Sequence, residues 1–327
     1  MFSNYFIKGY LDNFVNTFFL TINDIATSLS SSILVVIITI TVPILLVVAF
    51  FTLMERQVMA SMQRRMGPQT SGLGGILQPF YDGLKLGVKE PVVLELASSG
   101  AFASAPMIAF ILSQVSFGVL FISDSSYQGI ILMALSSLAV YGVLLAGWAS
   151  NSKYSFLGCL RSVALMVSYE LGFGAVLLSI CLFLTDSTGM KSLNFADASP
   201  FVQAALLPLL LIFLICILAE SKRIPFDLPE AEAELVAGFN VEYSSLGFAL
   251  FFIAEYANLA VLSAIASIYF LGGFSALKII TLYFGFVWVR GTLPRYRADS
   301  FMRAGWKALL PLSLALFSFY ASFDYIL

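Results

Sequence analysis

The sequence predicts an all-α integral membrane protein of about eight transmembrane helices with a long amphipathic inner loop. Three observations predict it. Hydrophobic residues make up 60% of the 327 positions and charged residues only 11%, against roughly 25% charged in a soluble domain; mean hydropathy is +0.94. The apolar residues gather into stretches close to the roughly 20 residues that a helix needs to cross a bilayer. Basic residues collect in alternate loops, as the positive-inside rule requires.

In chain order, residues 1–31 form an N-terminal extension. It holds Lys8, Asp12 and Asp24 and no Arg, a poor match to a transit or signal peptide. Residues 32–327 form a single helical membrane domain, with spans expected at 32–54, 100–122, 128–150, 162–184, 201–219, 246–270, 277–293 and 308–323. The seventh is the shortest, with 11 uncharged residues between Lys278 and Arg290, and a re-entrant or interfacial segment is the alternative there. Pro43, Pro106, Pro208 and Pro311 fall inside spans, which membrane helices tolerate because neighbours re-satisfy the freed backbone groups.

The charges test this map. Of 17 Lys and Arg, all but Lys8, Lys191 and Lys278 lie in the first, third, fifth and seventh loops. Those loops are therefore expected on the cytoplasmic or matrix side, with both termini opposite. The first of them opens with Glu55-Arg56-Gln57-Val58-Met59-Ala60 and turns at Gly67-Pro68 and Gly72-Leu73-Gly74-Gly75. Ile76, Leu77, Phe80, Leu84 and Val88 then recur near helical spacing, with Asp82, Lys85 and Lys89 elsewhere on the wheel. That pattern predicts a helix in the membrane interface or packed on another subunit.

Composition also excludes chemistry. There is no histidine, and Cys159, Cys181 and Cys216 lie far apart with no CxxC pair, so haem, zinc and Fe–S ligation by this chain are not expected. The cysteines are expected to fill space in or beside helices. No flavin-binding motif is present, and no basic run points to nucleic acid.

What remains is carboxylates. Glu170 lies nine residues beyond Arg161 in the fourth span, roughly 13 Å at 1.5 Å per residue. Glu255 lies ten residues beyond Ser245 in the sixth, roughly 15 Å. Both reach about the middle of a hydrocarbon core about 30 Å thick, and Glu220 ends the fifth span. Buried carboxylates that share protons can pass them on without histidine. The alternative is that each Glu pins helices through an Arg or a backbone group. The fifth loop, Pro225-Phe226-Asp227-Leu228-Pro229-Glu230-Ala231-Glu232-Ala233-Glu234, is acidic, but Leu228, Leu235, Val236 and Phe239 call for burial. The seventh, Arg290-Gly291-Thr292-Leu293-Pro294-Arg295-Tyr296-Arg297, is basic; it is expected to be aqueous, or to meet fifth-loop acids, anionic lipid or a partner subunit.

These loops resemble those of the NADH dehydrogenase subunit 1 family. The likeness is carried by Glu55-Arg56-Gln57-Val58-Met59, Gln63-Arg64-Arg65-Met66-Gly67-Pro68, Leu77-Gln78-Pro79-Phe80-Tyr81-Asp82-Gly83-Leu84-Lys85 and Lys89-Glu90-Pro91. It continues through the fifth loop from Pro225 to Gly238, Asn240-Val241-Glu242-Tyr243-Ser244, Phe286-Val287-Trp288-Val289-Arg290 and Leu293-Pro294-Arg295-Tyr296-Arg297. It runs in the right order from about residue 45 to the end. The resemblance implies a membrane subunit of proton-pumping NADH:quinone oxidoreductase, respiratory complex I, with eight core spans and an outer N-terminus, sitting where the peripheral and membrane arms meet.

By motif, it implies an acid-lined proton path through Glu170, Glu220, Glu230, Glu232, Glu242 and Glu255. Arg56, Arg64, Asp82, Glu90, Arg223 and Asp227 would belong to a quinone tunnel or its junction, with Phe226 as a wall. Ubiquinone would be the bound substrate, with no flavin, Fe–S cluster or metal held by this chain. The partners would be other complex I subunits of both arms and membrane lipid, with no nucleic acid. The location would be the mitochondrial inner membrane, or a bacterial plasma membrane, and the chain would not be active alone. Ser221-Lys222-Arg223 departs from the family's usual Thr-Asn-Arg and adds a charge. Met66 and Gln69-Thr70-Ser71 depart from Lys and Asn-Val-Val. Glu255-Tyr256-Ala257-Asn258 favours the respiratory branch, because the chloroplast relative typically lacks that acid. Two other readings are a quinone-independent subunit of a membrane-bound hydrogenase and a stand-alone ion-coupled transporter. No internal inverted repeat of the kind such transporters show is evident.

Overall fold

A computed structural model describes residues 33–92, 95, 97–120, 128–184, 200–227, 238–271 and 275–326, and every regular element among them is helical. In order these are α1 (Ile33–Met62), α2 (Gln78–Val88), α3 (Ser99–Val119), α4 (Gln128–Ala149), α5 (Lys153–Leu184), α6 (Pro200–Glu220), α7 (Ser245–Phe270), α8 (Ala276–Thr292) and α9 (Ala298–Ala304). A π-helical turn, Gly305–Leu309, joins α9 to α10 (Leu310–Ile326). The N-terminal extension, Glu230 and Glu232, and the side chain of Cys181 lie outside the described residues.

Among the described residues, six helical segments are long and apolar enough to cross a membrane: Ile38–Met62, Ser99–Val119, Gln128–Ala149, Lys153–Ile180, Ser245–Phe270 and Ala298–Ser322. The fifth expected span corresponds to the shorter apolar stretch Leu206–Glu220, and the seventh to α8, of 17 residues.

The boundaries differ from the hydropathy reading at three places. Apolar character stops at Met54, but α1 continues to Met62, because the acid that follows, Glu55, is buried among cations and phenols. The fourth span is expected to begin at 162, but α5 begins at Lys153. Ser155, Cys159 and Ser162 on its first turns are at most 1% exposed, so this part of the helix packs through small residues that lower the hydropathy without weakening the contact. Gly158 permits the approach: a Cβ there would stand 2.6 Å from the Cα of Gly238. Finally, the last helix reaches back to Ala298 through the π turn.

Helices α5 and α7 form the centre. The first packs on α4, α6 and α10, the second on α1, α3, α6 and α8. Leu165, Phe173 and Val176 of α5 meet Phe213 and Ile217 of α6 and Ala257, Val261 and Ile265 of α7 in one apolar core. Phe102, Val143, Cys159 and Phe239 belong to a smaller second core. Cys159 and Cys216 are free and buried, as space-filling residues should be. Large apolar side chains such as Trp148, Leu171, Leu211 and Leu312 remain exposed, a surface suited to lipid or other subunits.

Helix α2 is the amphipathic helix expected in the first loop. Pro79 sits in its first turn and none of its residues is buried; Phe80, Leu84 and Val88 are exposed. Its end is tied to the start of α7: the Ser245 hydroxyl bonds to the carbonyl of Leu86 at 3.1 Å, and Ser244 Oγ accepts from the Val92 N–H at 3.0 Å.

Candidate functional site

Three elements converge on Glu55, the residue directly after the apolar run of α1. Arg290, at the end of α8, donates to its Oε1. So does Arg223, just after α6, at 3.3 Å. Tyr256 of α7 donates to Oε2, and the Tyr283 hydroxyl of α8 lies 3.3 Å from the same oxygen. The Tyr256 ring packs 4.0 Å from the Arg223 guanidinium, a cation–π contact. Glu55 is 6% exposed, so one carboxylate holds two guanidiniums in a place that water hardly reaches. Burial works against the Arg223 charge, but negative and phenolic neighbours, Tyr256, Tyr283 and Glu255, outweigh it and hold the guanidinium protonated.

Next to this cluster, buried Asp227 accepts from Arg295 at 3.1 Å. The fifth and seventh loops thus pair directly, one of the arrangements open to the basic loop. Phe226 stacks into a ring group with Phe301 (4.0 Å), Tyr169 (5.9 Å) and Tyr296 (6.2 Å). Phe239 is fully buried, as its sequence context requires.

The sequence-derived residues of the first loop divide. Arg56 and Asp82 meet at 2.7 Å and join α1 to α2, with Gln78 donating to the same carboxylate at 3.1 Å. Both partners are more than a third exposed, so the pair contributes at most about 1 kcal/mol and chiefly sets geometry. Arg64, at φ 54, and Glu90 are exposed and stand apart from this pair.

Deeper in, a cavity of about 60 Å3 opens between α3, α4, α5 and α7 at the end of α6. Its polar lining is Ser113, Ser116, Ser136, Glu220, Ser221, Lys222, Glu255 and Asn258. At about 15 Å3 of such volume per water, it has room for about four waters but not for a substituted ring. Glu220 is 4% exposed, and its Oε1 finds no hydrogen-bond partner among the described residues. Lys222 reaches Glu255 Oε1 at 3.8 Å and lies over the Phe239 ring at 4.7 Å. Glu170 accepts a hydrogen bond from Ser137 and lies within electrostatic reach of Glu220. Glu242 is half-buried in the turn before α7.

Of the six acids that the resemblance would put on a proton path, Glu220 and Glu255 share the cavity wall and Glu170 lies within electrostatic reach of Glu220. Depths counted from Arg161 and Ser245 do not produce this grouping, since α5 begins eight residues before Arg161; the packing of α5 and α7 against the end of α6 does. Two residues escape a sequence reading of the site. Glu55 has a visible signal, an acid directly after a hydrocarbon-length run, but its partners lie 168 to 235 positions away. Lys222 is visible only as an added charge beside Arg223. Among the described residues no group of three or more His, Cys, Asp or Glu could hold a metal ion.

A profile of the NADH dehydrogenase family matches residues 35–321. The NADH-ubiquinone oxidoreductase chain 1 of Chlamydomonas reinhardtii is 74% identical over 281 residues, covering 86% of this chain and 96% of that protein. The protein of the same name from Chondrus crispus is 48% identical, over 87% of this chain and 94% of its own length. An NADH-quinone oxidoreductase subunit of Rickettsia canadensis (strain McKiel) is 46% identical, over 85% of this chain and 89% of its own length.

Proposed function

The chain belongs to the NADH dehydrogenase family, and we propose that it is the membrane subunit of proton-pumping NADH:ubiquinone oxidoreductase that couples quinone reduction to proton movement. The observation that carries this reading is the small cavity with Glu220 and Glu255 on its wall and Glu170 within electrostatic reach of Glu220. Its size suits a short water chain between carboxylates, and carboxylates at bilayer depth default to such roles. Ubiquinone, named in the relatives from both algae, is the substrate. Its tunnel runs past Arg56, Arg64, Asp82, Glu90, Arg223, Phe226 and Asp227, at the loop ends of the helices. Arg223 belongs to the Glu55–Arg290 cluster and also lies within electrostatic reach of Glu255 on the cavity wall, so a charge change at the quinone reaches the acids through it. Glu230, Glu232 and Glu242 complete the route towards the loops.

Other subunits of both arms and membrane lipid cover the exposed apolar faces of the helices and α2. Flavin and Fe–S clusters belong to those partners. Isolation in mild detergent followed by mass spectrometry tests the assignment: other subunits of the oxidoreductase should co-purify with the chain, and the separated chain should not oxidise NADH. Recovery of the chain with a hydrogenase module, or alone with NADH oxidation intact, would overturn it.

The loops rich in Lys and Arg face the matrix of mitochondria, with both termini towards the intermembrane space. Thr70 is exposed on the first of these loops and Ser300 in the first turn of α9, just after the seventh. Cysteines placed there should react with a membrane-impermeant maleimide only in inside-out inner-membrane vesicles. Labelling in right-side-out mitoplasts would contradict the orientation.

A further inference from the structure

Among the described Lys and Arg residues, Lys222 alone is buried. It is the left-handed residue, φ 51, of the cap that closes α6: its N–H bonds to the Ala219 carbonyl and the Arg223 N–H to the Leu218 carbonyl. The cap sets it on the cavity wall, where it is 8% exposed. There its Nζ stands 3.8 Å from Glu255, and Glu220, whose Oε1 has no hydrogen-bond partner among the described residues, lies within its field. The other nearby cations are engaged: Arg223 with Glu55 and Arg295 with Asp227. Glu170 acts on Glu220 from α5, Arg223 and Asp227 act on Glu255 from the loop after α6, and the Cys159 thiol also faces Lys222 from α5.

Resting on the reading of this cavity as a proton path, we infer that Lys222 is the fixed cation of a three-group exchange unit with Glu220 and Glu255. The unit holds one ammonium, one carboxylate and one carboxylic acid. A proton leaves the carboxylic acid of Glu220, crosses the cavity through water and joins the carboxylate of Glu255. The ammonium then faces the newly formed carboxylate of Glu220, and the net charge of the three groups is zero before and after. Without the cation, each state would leave a bare negative charge in a poorly solvated space. Lys222 is thus a positioning residue that acts through its charge on the two acids.

The test uses the assembled complex in proteoliposomes, with Lys222→Met, Lys222→Gln, Lys222→Arg and Glu255→Gln. The neutral variants should assemble, reduce quinone about tenfold more slowly at neutral pH, and regain rate as the pH is raised by about one unit, since an ionised acid no longer has its cation. Lys222→Arg should restore the wild-type rate and profile. A neutral variant with wild-type rate and pH profile, beside an impaired Glu255→Gln, would overturn the role of Lys222 and leave the path intact. Failure of both neutral variants to assemble, while Lys222→Arg assembles normally, would assign Lys222 a structural role and also overturn it. Normal activity in Glu255→Gln would count against the path itself.

Discussion

Complex carrying Glu55→Ala is expected not to accumulate in the membrane. The substitution removes the shared acceptor of Arg290, Arg223 and Tyr256 and leaves two guanidiniums facing each other, their side chains 33% and 15% exposed. Deleting one partner of a buried ion pair costs about 3–5 kcal/mol, because the charge left behind stays buried. Proteins are stable by only about 5–15 kcal/mol, so the loss takes a large share of the margin. Four helix-bearing segments would lose their common anchor at once: α1, the turn after α6, α7 and α8. Arg290→Met should be milder, since Arg223 and Tyr256 still satisfy Glu55. Native gel electrophoresis of solubilised membranes reads the result. The account expects little intact complex for Glu55→Ala and a reduced but clear amount for Arg290→Met. Wild-type amounts of Glu55→Ala complex with unchanged thermal stability would contradict the anchoring role.

The contrast with Arg56–Asp82 shows why burial decides. That pair is shorter than the Arg223–Glu55 contact, 2.7 Å against 3.3 Å, yet it is solvated. Its loss should shift the docking of α2 more than the survival of the complex.

The helical class and the positions of the long spans are legible in the sequence because hydrocarbon length and charge segregation are local properties. Their ends are less so. A hydropathy window stops at Glu55 and at Arg161, but neither charge ends a helix when its partners come from elsewhere or its flank packs through Ser155 and Cys159. The acids of the site stand out one by one, since each violates the apolar rule on its own. Which of them meet is a tertiary fact: Glu220 joins Glu255 because α6 ends against α7, and Glu170 approaches through α5. Glu55 reads as the start of a loop, and nothing local reveals its partners after α6, in α7 and in α8. Lys222 reads as one more loop cation, although the turn that carries it points inward.

The largest functional effect is expected at the cavity acids. Gln keeps the shape and hydrogen bonding of Glu but cannot ionise, so Glu170→Gln, Glu220→Gln and Glu255→Gln should each yield assembled complex. A positioned proton-transfer group contributes roughly 10²–10⁴-fold, so quinone reduction should fall at least about tenfold, and pumping with it. Residues on one path are not additive, so adding Glu220→Gln to Glu255→Gln should cost little more than either alone. If these acids only pin helices, the variants would instead assemble poorly and whatever assembled would pump normally per turnover. The most direct measurement is NADH:ubiquinone reductase rate and proton uptake, taken together, in proteoliposomes holding the Glu220→Gln/Glu255→Gln complex. The account predicts a normal quantity of assembled enzyme in which both activities collapse in parallel. Assembled double-variant enzyme with normal turnover and a normal proton yield per electron would contradict it.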